Sequence, residues 1–162
     1  MSNDPIVITV VCTANVCRSP MAEGLLRHAL QGEDSPPAFI VESAGVAARE
    51  GEGPSENSVI AMKKVGIDIS DHKSRMLTPD RVARSHVIFC MTSDHQRMIE
   101  TLHPQTSGQL RLFCEFSDGN NPEVPDPYGG FIDEYIECRD SLVEAIPGLL
   151  RFLYQEVFPS PK

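Results

Sequence analysis

The chain has 162 residues, which fits one domain with a full hydrophobic core. Hydrophobic residues make up 41% and charged residues 23%, as in ordinary globular proteins, and no apolar run reaches the roughly 20 residues that cross a bilayer. The net charge of −9 argues against a nucleic-acid-binding protein, because such proteins neutralise phosphates with basic side chains.

The first predicted element is a β-strand close to the start of the chain. The start itself, MSNDPIVITV, lacks a basic region before a long apolar stretch, so we expect no signal peptide and a cytoplasmic protein with reduced thiols. Residues Ile6–Val11 are apolar and largely β-branched except for Thr9, which is typical of a strand buried on both faces. Ser19 and Pro20 then open a helix, with proline in its first turn.

Strands and helices alternate along the rest of the chain. The predicted strands are Phe39–Glu42, His86–Met91 and Leu110–Phe116. The predicted helices are Ser55–Val65, Asp94–Leu102 and a last one from about Phe131, which Pro147 and Gly148 are positioned to kink or divide. This alternation predicts a single-domain α/β fold over residues 1–162, with a four-stranded parallel sheet and helices on both faces. Ligands of such sheets bind outside the carboxyl ends of the strands.

The stretch VCTANVCRSP lies at that edge, between the first strand and the first helix. Cys12 would leave the strand just before a loop whose backbone N–H groups form an anion-binding nest, and the helix points its positive end at the same place. Arg18 adds a planar fork of donors suited to two phosphate oxygens. Cys12 alone among the five cysteines has an arginine six positions later. We therefore predict that the Cys12 thiolate is a nucleophile in a phosphate-binding loop.

Other interpretations of the cysteines are weaker. Five cysteines cannot all pair, and no second close cysteine or histidine pair completes a metal site with Cys12 and Cys17. Burial of Cys12 as a small hydrophobic residue is disfavoured, because the charge of Arg18 lies nearby. The remaining cysteines are expected to be core thiols; they are Cys90, Cys114 and Cys138.

Asp126 is the leading candidate for a proton donor. Displacing an alcohol from phosphorus requires a donor for the leaving oxygen. Asp126 follows the fourth predicted strand and stands between two prolines in VPDPY, which hold it on a stiff loop. The alternative is a plain turn.

These residues resemble the low-molecular-weight protein tyrosine phosphatases. The resemblance rests on VCTANVCRSPMAE at residues 11–23 and on DPY at residues 126–128. The pieces SAG at 43–45, HK at 72–73 and CM at 90–91 also fall where that family has similar ones, so the resemblance covers nearly the whole chain. The continuation YGG after the aspartate is similar to the bacterial branch, which includes protein-arginine phosphatases.

The resemblance implies a mechanism without a metal or cofactor. Cys12 would attack phosphorus and form a phosphocysteine, and Arg18 would bind the equatorial oxygens together with the loop amides. Asp126 would protonate the leaving oxygen and then activate water. The phosphate-binding loop implied by the resemblance also contains Thr13, Ala14, Asn15, Val16, Cys17 and Ser19.

The resemblance also implies supporting roles. Asn15 would brace the loop, with Ser43 and His72 bonded around it, and Ser19 would donate a hydrogen bond to the nucleophilic thiolate. Cys17 would form a reversible disulfide with that thiolate under peroxide. The residues alone leave His72 open as a polar loop residue and Ser43 as a strand cap.

The substrate expectation depends on two departures from the family. After the SAG turn, many members carry an aromatic residue that forms one wall of the substrate pocket, and this chain has Arg49. Arg49 would bind an acidic peptide or a further phosphate; the alternative is a solvated charge in a loop. Tyr128 would supply the other wall. The arginine phosphatases of the family carry threonine at the position of Val16. Unlike threonine, the valine side chain has no hydrogen-bonding group. Phosphotyrosine is therefore favoured over phosphoarginine.

Two further hypotheses are less favoured. Arsenate reduction on this fold needs two more closely spaced cysteines, but the next cysteine after Cys90 is Cys114. An idle phosphopeptide-binding module would not require a thiol and an acid together with Arg18. We expect a phosphorylated protein as partner, no nucleic acid or membrane, and a monomer or weak dimer.

Overall fold

The fold is organised around a four-stranded parallel sheet. The structure, a computed structural model, describes residues 4–106, 108–117 and 121–159. The strands are β1 (Ile6–Cys12), β2 (Phe39–Gly45), β3 (Val87–Cys90) and β4 (Leu110–Leu112). Their order in the sheet is β2-β1-β3-β4, and every neighbouring pair is parallel. The predicted α/β class and the four parallel strands are therefore confirmed.

In the part of the chain that the structure describes, five α-helices cover the two faces of the sheet. They are α1 (Arg18–Gln31), α2 (Glu56–Lys63), α3 (Pro79–Arg84), α4 (Ser93–Leu102) and α5 (Ile132–Phe152), and a π-helical turn, Leu153–Val157, follows α5. Helices α1, α2 and α5 pack together on one face, and α3 and α4 lie on the other. Within the described ranges, no helix has the length and apolar character needed to cross a membrane.

The alternation of side chains along β1 explains why both faces are covered. Ile8 and Val10 belong to the hydrophobic cluster that contains the apolar residues of α1 and α5. Val11 belongs to a second cluster, which contains residues of α3 and α4. Thr9 is completely buried, and its hydroxyl is satisfied by the Ser85 hydroxyl at 2.6 Å, so one polar residue fits within an otherwise apolar strand.

The structure differs from the predicted elements most clearly at three places. The fourth strand ends at Leu112, because the chain turns away after it, although Phe113 and Cys114 remain buried. Helix α3 was not predicted; Thr78 caps it by accepting a hydrogen bond from the Arg81 backbone N–H. Pro147 lies inside α5 without dividing it.

Some predictions concern residues that the structure does not describe. The segment between the fourth predicted strand and the last predicted helix includes residues 118–120, and the predicted domain range includes 1–3 and 160–162. These residues lie outside the described ones. The boundaries 1–162 of the single domain therefore stay a prediction.

Candidate active site

The loop between β1 and α1 is held against the loop that follows β2. The backbone N–H groups of Val46 and Ala47 donate to the carbonyl oxygens of Cys12 and Thr13, at 3.0 and 2.9 Å. Gly45 makes this close approach possible, because a Cβ there would collide with the Thr13 carbonyl oxygen. The first part of the loop is therefore fixed by the neighbouring strand end.

Asn15 turns the loop and braces it from inside. Its backbone is left-handed, with φ at 61°, and its side chain is completely buried. The side-chain amide donates to the hydroxyls of Ser19 and Ser43, at 2.8 and 2.9 Å, and its oxygen accepts from the Arg75 backbone N–H at 3.0 Å. His72 Nε2 donates to the Asn15 carbonyl oxygen at 2.7 Å. These contacts satisfy the buried amide and offset the unfavourable backbone conformation.

Ser19 is oriented to donate to the Cys12 thiol. Its hydroxyl lies 2.9 Å from Cys12 Sγ, and Cys12 is only 2% exposed. Because the side-chain nitrogen of Asn15 can only donate, the Ser19 oxygen accepts that hydrogen bond and its own proton is free to point at the sulfur. A thiolate at Cys12 would thus have a directed hydrogen-bond donor.

Arg18 is buried beside the thiol and only partly satisfied. Its Nη1 donates to the Val124 carbonyl oxygen at 2.9 Å, and its Nη2 donates to Thr13 Oγ1 at 3.3 Å. Nη2 also lies 3.6 Å from Asp126 Oδ2. Among the residues that the structure describes, Nε has no hydrogen-bond partner. A buried cation with an unused donor is well suited to bind an anion.

Asp126 is presented on a stiff turn opposite the loop. One carboxylate oxygen accepts from the Tyr128 backbone N–H at 3.1 Å, and the other faces Arg18. The side chain is about half exposed, at 49%. It can therefore exchange protons with a group bound in the pocket and with solvent.

The Cys17 thiol lies on the inner side of the loop. It is 3% exposed, and its sulfur is 3.4 Å from the Ser55 hydroxyl and 3.6 Å from the Tyr135 hydroxyl. Burial raises the pKa of Cys17 and raises that of Tyr135 to about 12. Both groups are therefore protonated at neutral pH.

A pocket of about 400 Å³ opens over the loop. The predicted residues that line it are Cys12, Thr13, Ala14, Val16, Cys17, Arg18, Arg49, Asp126 and Tyr128. The other predicted residues lie behind the loop or pack against it; they are Asn15, Ser19, Ser43 and His72. Arg49 and Tyr128 are strongly exposed at the pocket, 88% for the Arg49 side chain and 73% for Tyr128.

Several residues around the site were not predicted from the sequence. His95 Nε2 lies 2.8 Å from Thr13 Oγ1, and Glu52 lines the pocket beside Arg49. Glu23 accepts a hydrogen bond from the Ser43 hydroxyl at 2.6 Å. The position of His95 just after β3, at the carboxyl edge of the sheet, is the one sequence signal that points to any of them. In the described part of the chain, no group of three or more histidine, cysteine or carboxylate side chains is arranged to hold a metal ion.

The fold and the loop together define a class of protein. An α/β sheet with a Cys-x5-Arg loop after its first strand, faced by a carboxylate, is the architecture of cysteine-dependent phosphatases. A family model described as low molecular weight phosphotyrosine protein phosphatase matches residues 7–158. The chain belongs to this family.

Relatives of two specificities resemble the chain. It is 34% identical over 152 residues to a protein-arginine-phosphatase of Geobacillus stearothermophilus, covering 94% of this chain and 99% of the relative. It is 32% identical over 160 residues to a low molecular weight protein-tyrosine-phosphatase of Streptomyces coelicolor, covering 93% and 94%. The crystal structure of the Erwinia amylovora tyrosine phosphatase AmsI superimposes with a TM-score of 0.82 at 30% identity, covering 91% and 93%.

Proposed function

We propose that the protein hydrolyses phosphotyrosine in phosphorylated proteins through a phosphocysteine intermediate. The observation that carries this proposal is the convergence of Cys12, Arg18 and Asp126 on one pocket. Transfer of a phosphoryl group to an enzyme requires a nucleophile, a positive charge that binds the phosphoryl oxygens, and a proton donor. The thiol, the buried cation and the half-exposed carboxylate of this pocket supply these three groups.

In the first step, the Cys12 thiolate attacks phosphorus. An S–P bond forms while the P–O bond to the substrate oxygen breaks, and Asp126 gives its proton to that oxygen. Arg18 and the loop amides hold the equatorial oxygens, whose charge is highest in the transition state. The products of this step are the free tyrosine hydroxyl and a phosphocysteine.

In the second step, water releases the phosphate. The Asp126 carboxylate, now without its proton, takes a proton from the attacking water. The new P–O bond forms as the S–P bond breaks, and the Cys12 thiolate is restored with Ser19 as its hydrogen-bond donor. Inorganic phosphate then leaves.

The walls of the pocket favour an aromatic substrate. Val16 and Ala47 line it with apolar groups, and Tyr128 adds an exposed aromatic ring. A phenyl ring can pack against these groups without leaving any polar atom unsatisfied, whereas the guanidinium of phosphoarginine would place N–H donors against Val16.

Protein-arginine phosphatase activity is the second candidate. Glu52 lines the same pocket, and a carboxylate there is able to pair with the guanidinium of phosphoarginine. The relative from Geobacillus stearothermophilus carries that name. Arsenate reduction has less support, because Cys90 and Cys114 are buried and burial raises their pKa values to about 12 and about 11, which makes them poor relay thiols.

Matched peptides that differ only in phosphotyrosine or phosphoarginine test the proposal. We expect the wild-type protein to have a higher kcat/KM for phosphotyrosine, and Val16→Thr to shift the ratio towards phosphoarginine by about tenfold. Ile60→Thr, which makes the same kind of change on the exposed surface of α2, should leave the ratio unchanged. A higher kcat/KM for phosphoarginine in the wild-type protein would overturn the proposal in favour of the second candidate.

We also propose that the protein acts in the cytoplasm as a monomer or weak dimer. All five cysteines are free thiols, which fits a reducing compartment. Sedimentation at increasing protein concentration tests the oligomeric state, and a stable dimer at nanomolar concentration would contradict it. Cell fractionation tests the location.

A further inference from the structure

His95 is a buried histidine that touches the loop from helix α4. Its backbone N–H is capped by Thr92 Oγ1 at 3.2 Å, which fixes the first turn of α4, and the residue is 5% exposed. Its Nε2 lies 2.8 Å from Thr13 Oγ1. Nδ1 has no hydrogen-bond partner in the described ranges. Thr13 is therefore the one polar side chain in those ranges that the imidazole contacts by a hydrogen bond.

Arg18 fixes the direction of one of the two hydrogen bonds that Thr13 makes. Its Nη2 lies 3.3 Å from Thr13 Oγ1, and a guanidinium can only donate, so the threonine oxygen accepts. The Thr13 hydroxyl proton is then free to be donated to His95 Nε2, which accepts it in the neutral tautomer that carries its proton on Nδ1. The hydrogen bonds form a chain from Arg18 through Thr13 to His95.

A neutral imidazole fits its surroundings. Burial and the nearby positive charge of Arg18 lower the pKa of His95 to about 4, against the opposing charges of Asp126, Asp94 and Glu123. At neutral pH, His95 is therefore neutral, and its Nε2 can serve as the acceptor for the Thr13 hydroxyl when the ring proton is on Nδ1.

We propose that His95 is a positioning residue for Arg18, which it orients through the Thr13 hydroxyl. The inference rests on the proposed function, in which Arg18 binds the phosphoryl oxygens. The guanidinium is held at Nη1 by the Val124 carbonyl oxygen and at Nη2 by Thr13. With His95 accepting from Thr13, the threonine oxygen stays turned towards Arg18. Without that acceptor, the Thr13 hydroxyl can rotate, and the Arg18 guanidinium loses one of the two hydrogen bonds that orient it.

Paired variants of His95 and Thr13 test the proposal in the full chain. Thr13→Val removes the hydroxyl, His95→Leu removes the acceptor, and His95→Gln keeps an acceptor oxygen near the position of Nε2. We expect the first two to lower kcat/KM for p-nitrophenyl phosphate by about tenfold and His95→Gln to restore most of it. The double variant should be no worse than either single one, because both break the same chain.

His103→Leu is the matched control, since this buried histidine lies at the other end of α4, away from the loop. It should keep wild-type kcat/KM. Multiplied losses in the double variant would overturn the proposal, as would a His95→Gln variant as impaired as His95→Leu. If His95→Leu fails to fold, Thr13→Val together with His95→Gln still decides between these outcomes.

Binding of inorganic phosphate separates this inference from the proposed function. Calorimetry of phosphate binding requires no turnover, and we expect Thr13→Val and His95→Leu to weaken it about fivefold. An unchanged affinity in both variants would overturn the positioning role. A wild-type protein that binds phosphate but hydrolyses no phosphate ester would instead refute the proposed function.

Discussion

The environment of the Cys17 thiol suits a role in protecting Cys12 from irreversible oxidation. Burial raises its pKa, so peroxide should attack Cys12 first and leave Cys17 as a protonated partner. A sulfenic acid at Cys12 would then condense with Cys17 to a disulfide and release water. We expect Cys17→Ser to recover far less activity than wild type after peroxide followed by dithiothreitol, while Cys114→Ser recovers normally. Equal recovery of Cys17→Ser and wild type would refute this role.

His95 should also make the stability of the protein depend on pH. Its pKa falls from an ordinary 6.5 to about 4 on folding, so the unfolded chain binds the proton more tightly. The contribution of the neutral imidazole is complete above about pH 6.5 and is lost as the pH falls towards 4, by up to about 3 kcal/mol. Urea unfolding at pH 7, 5 and 4 should give a shallower pH dependence for His95→Gln. Parallel curves for the two proteins would contradict this prediction.

The sequence indicated some residues of the site and not others, for a physical reason. Cys12 and Arg18 are six positions apart, and their spacing together with the strand before them and the helix after them suggested that they act together. His95 and Glu52 reach the site from elements far away in the chain. Their positions depend on how α4 and the loop after β2 pack, which local patterns do not specify.

The junction between β2 and the loop after β1 should be sensitive to a single methyl group. A Cβ on Gly45 would lie 2.8 Å from the Ala48 Cβ and collide with the Thr13 carbonyl oxygen. We expect Gly45→Ala to lower the free energy of unfolding by about 3 kcal/mol and to reduce activity, because the backbone of the phosphate-binding loop must shift.

Gly53→Ala is the matched control for this junction. Nothing lies within 4 Å of a Cβ at Gly53, so its unfolding free energy should change by less than about 0.5 kcal/mol. Chemical denaturation measures both variants. A Gly45→Ala protein as stable as the control would show that the close approach is not a constraint.

At the level of elements, the long periodic segments were predictable and the short ones were not. Strand β1 and helix α1 follow from their apolar patterns. Helix α3 has only six residues, too few for a clear periodicity. Phe113 and Cys114 are apolar residues that are buried in a turn. The local sequence pattern cannot distinguish a buried turn from the end of a strand. Helix α5 continues through Pro147, and the neighbouring Gly148 lies tightly against the Phe116 backbone.

The charge of the whole molecule should influence which phosphopeptides bind fastest. The net charge is −9, and Glu52 and Asp126 line the pocket together with the buried Arg18. Peptides with lysines beside the phosphotyrosine should therefore have kcat/KM values about three- to tenfold above those with glutamates at about 0.02 M salt. The difference should shrink at about 0.2 M salt, where the Debye length is shorter. A preference for acidic peptides at low salt would refute this prediction and indicate that Arg49 dominates recognition.

In the proposed mechanism, the phosphoryl group is bound covalently to Cys12 before water releases it. Acid quenching during turnover of p-nitrophenyl phosphate, followed by mass spectrometry of the digested protein, tests this directly. We expect one phosphoryl group on the peptide that contains Cys12, and no thiol-bound phosphoryl group and almost no turnover in Cys12→Ser. Undiminished turnover in Cys12→Ser, or a phosphoryl group on another residue, would contradict the account.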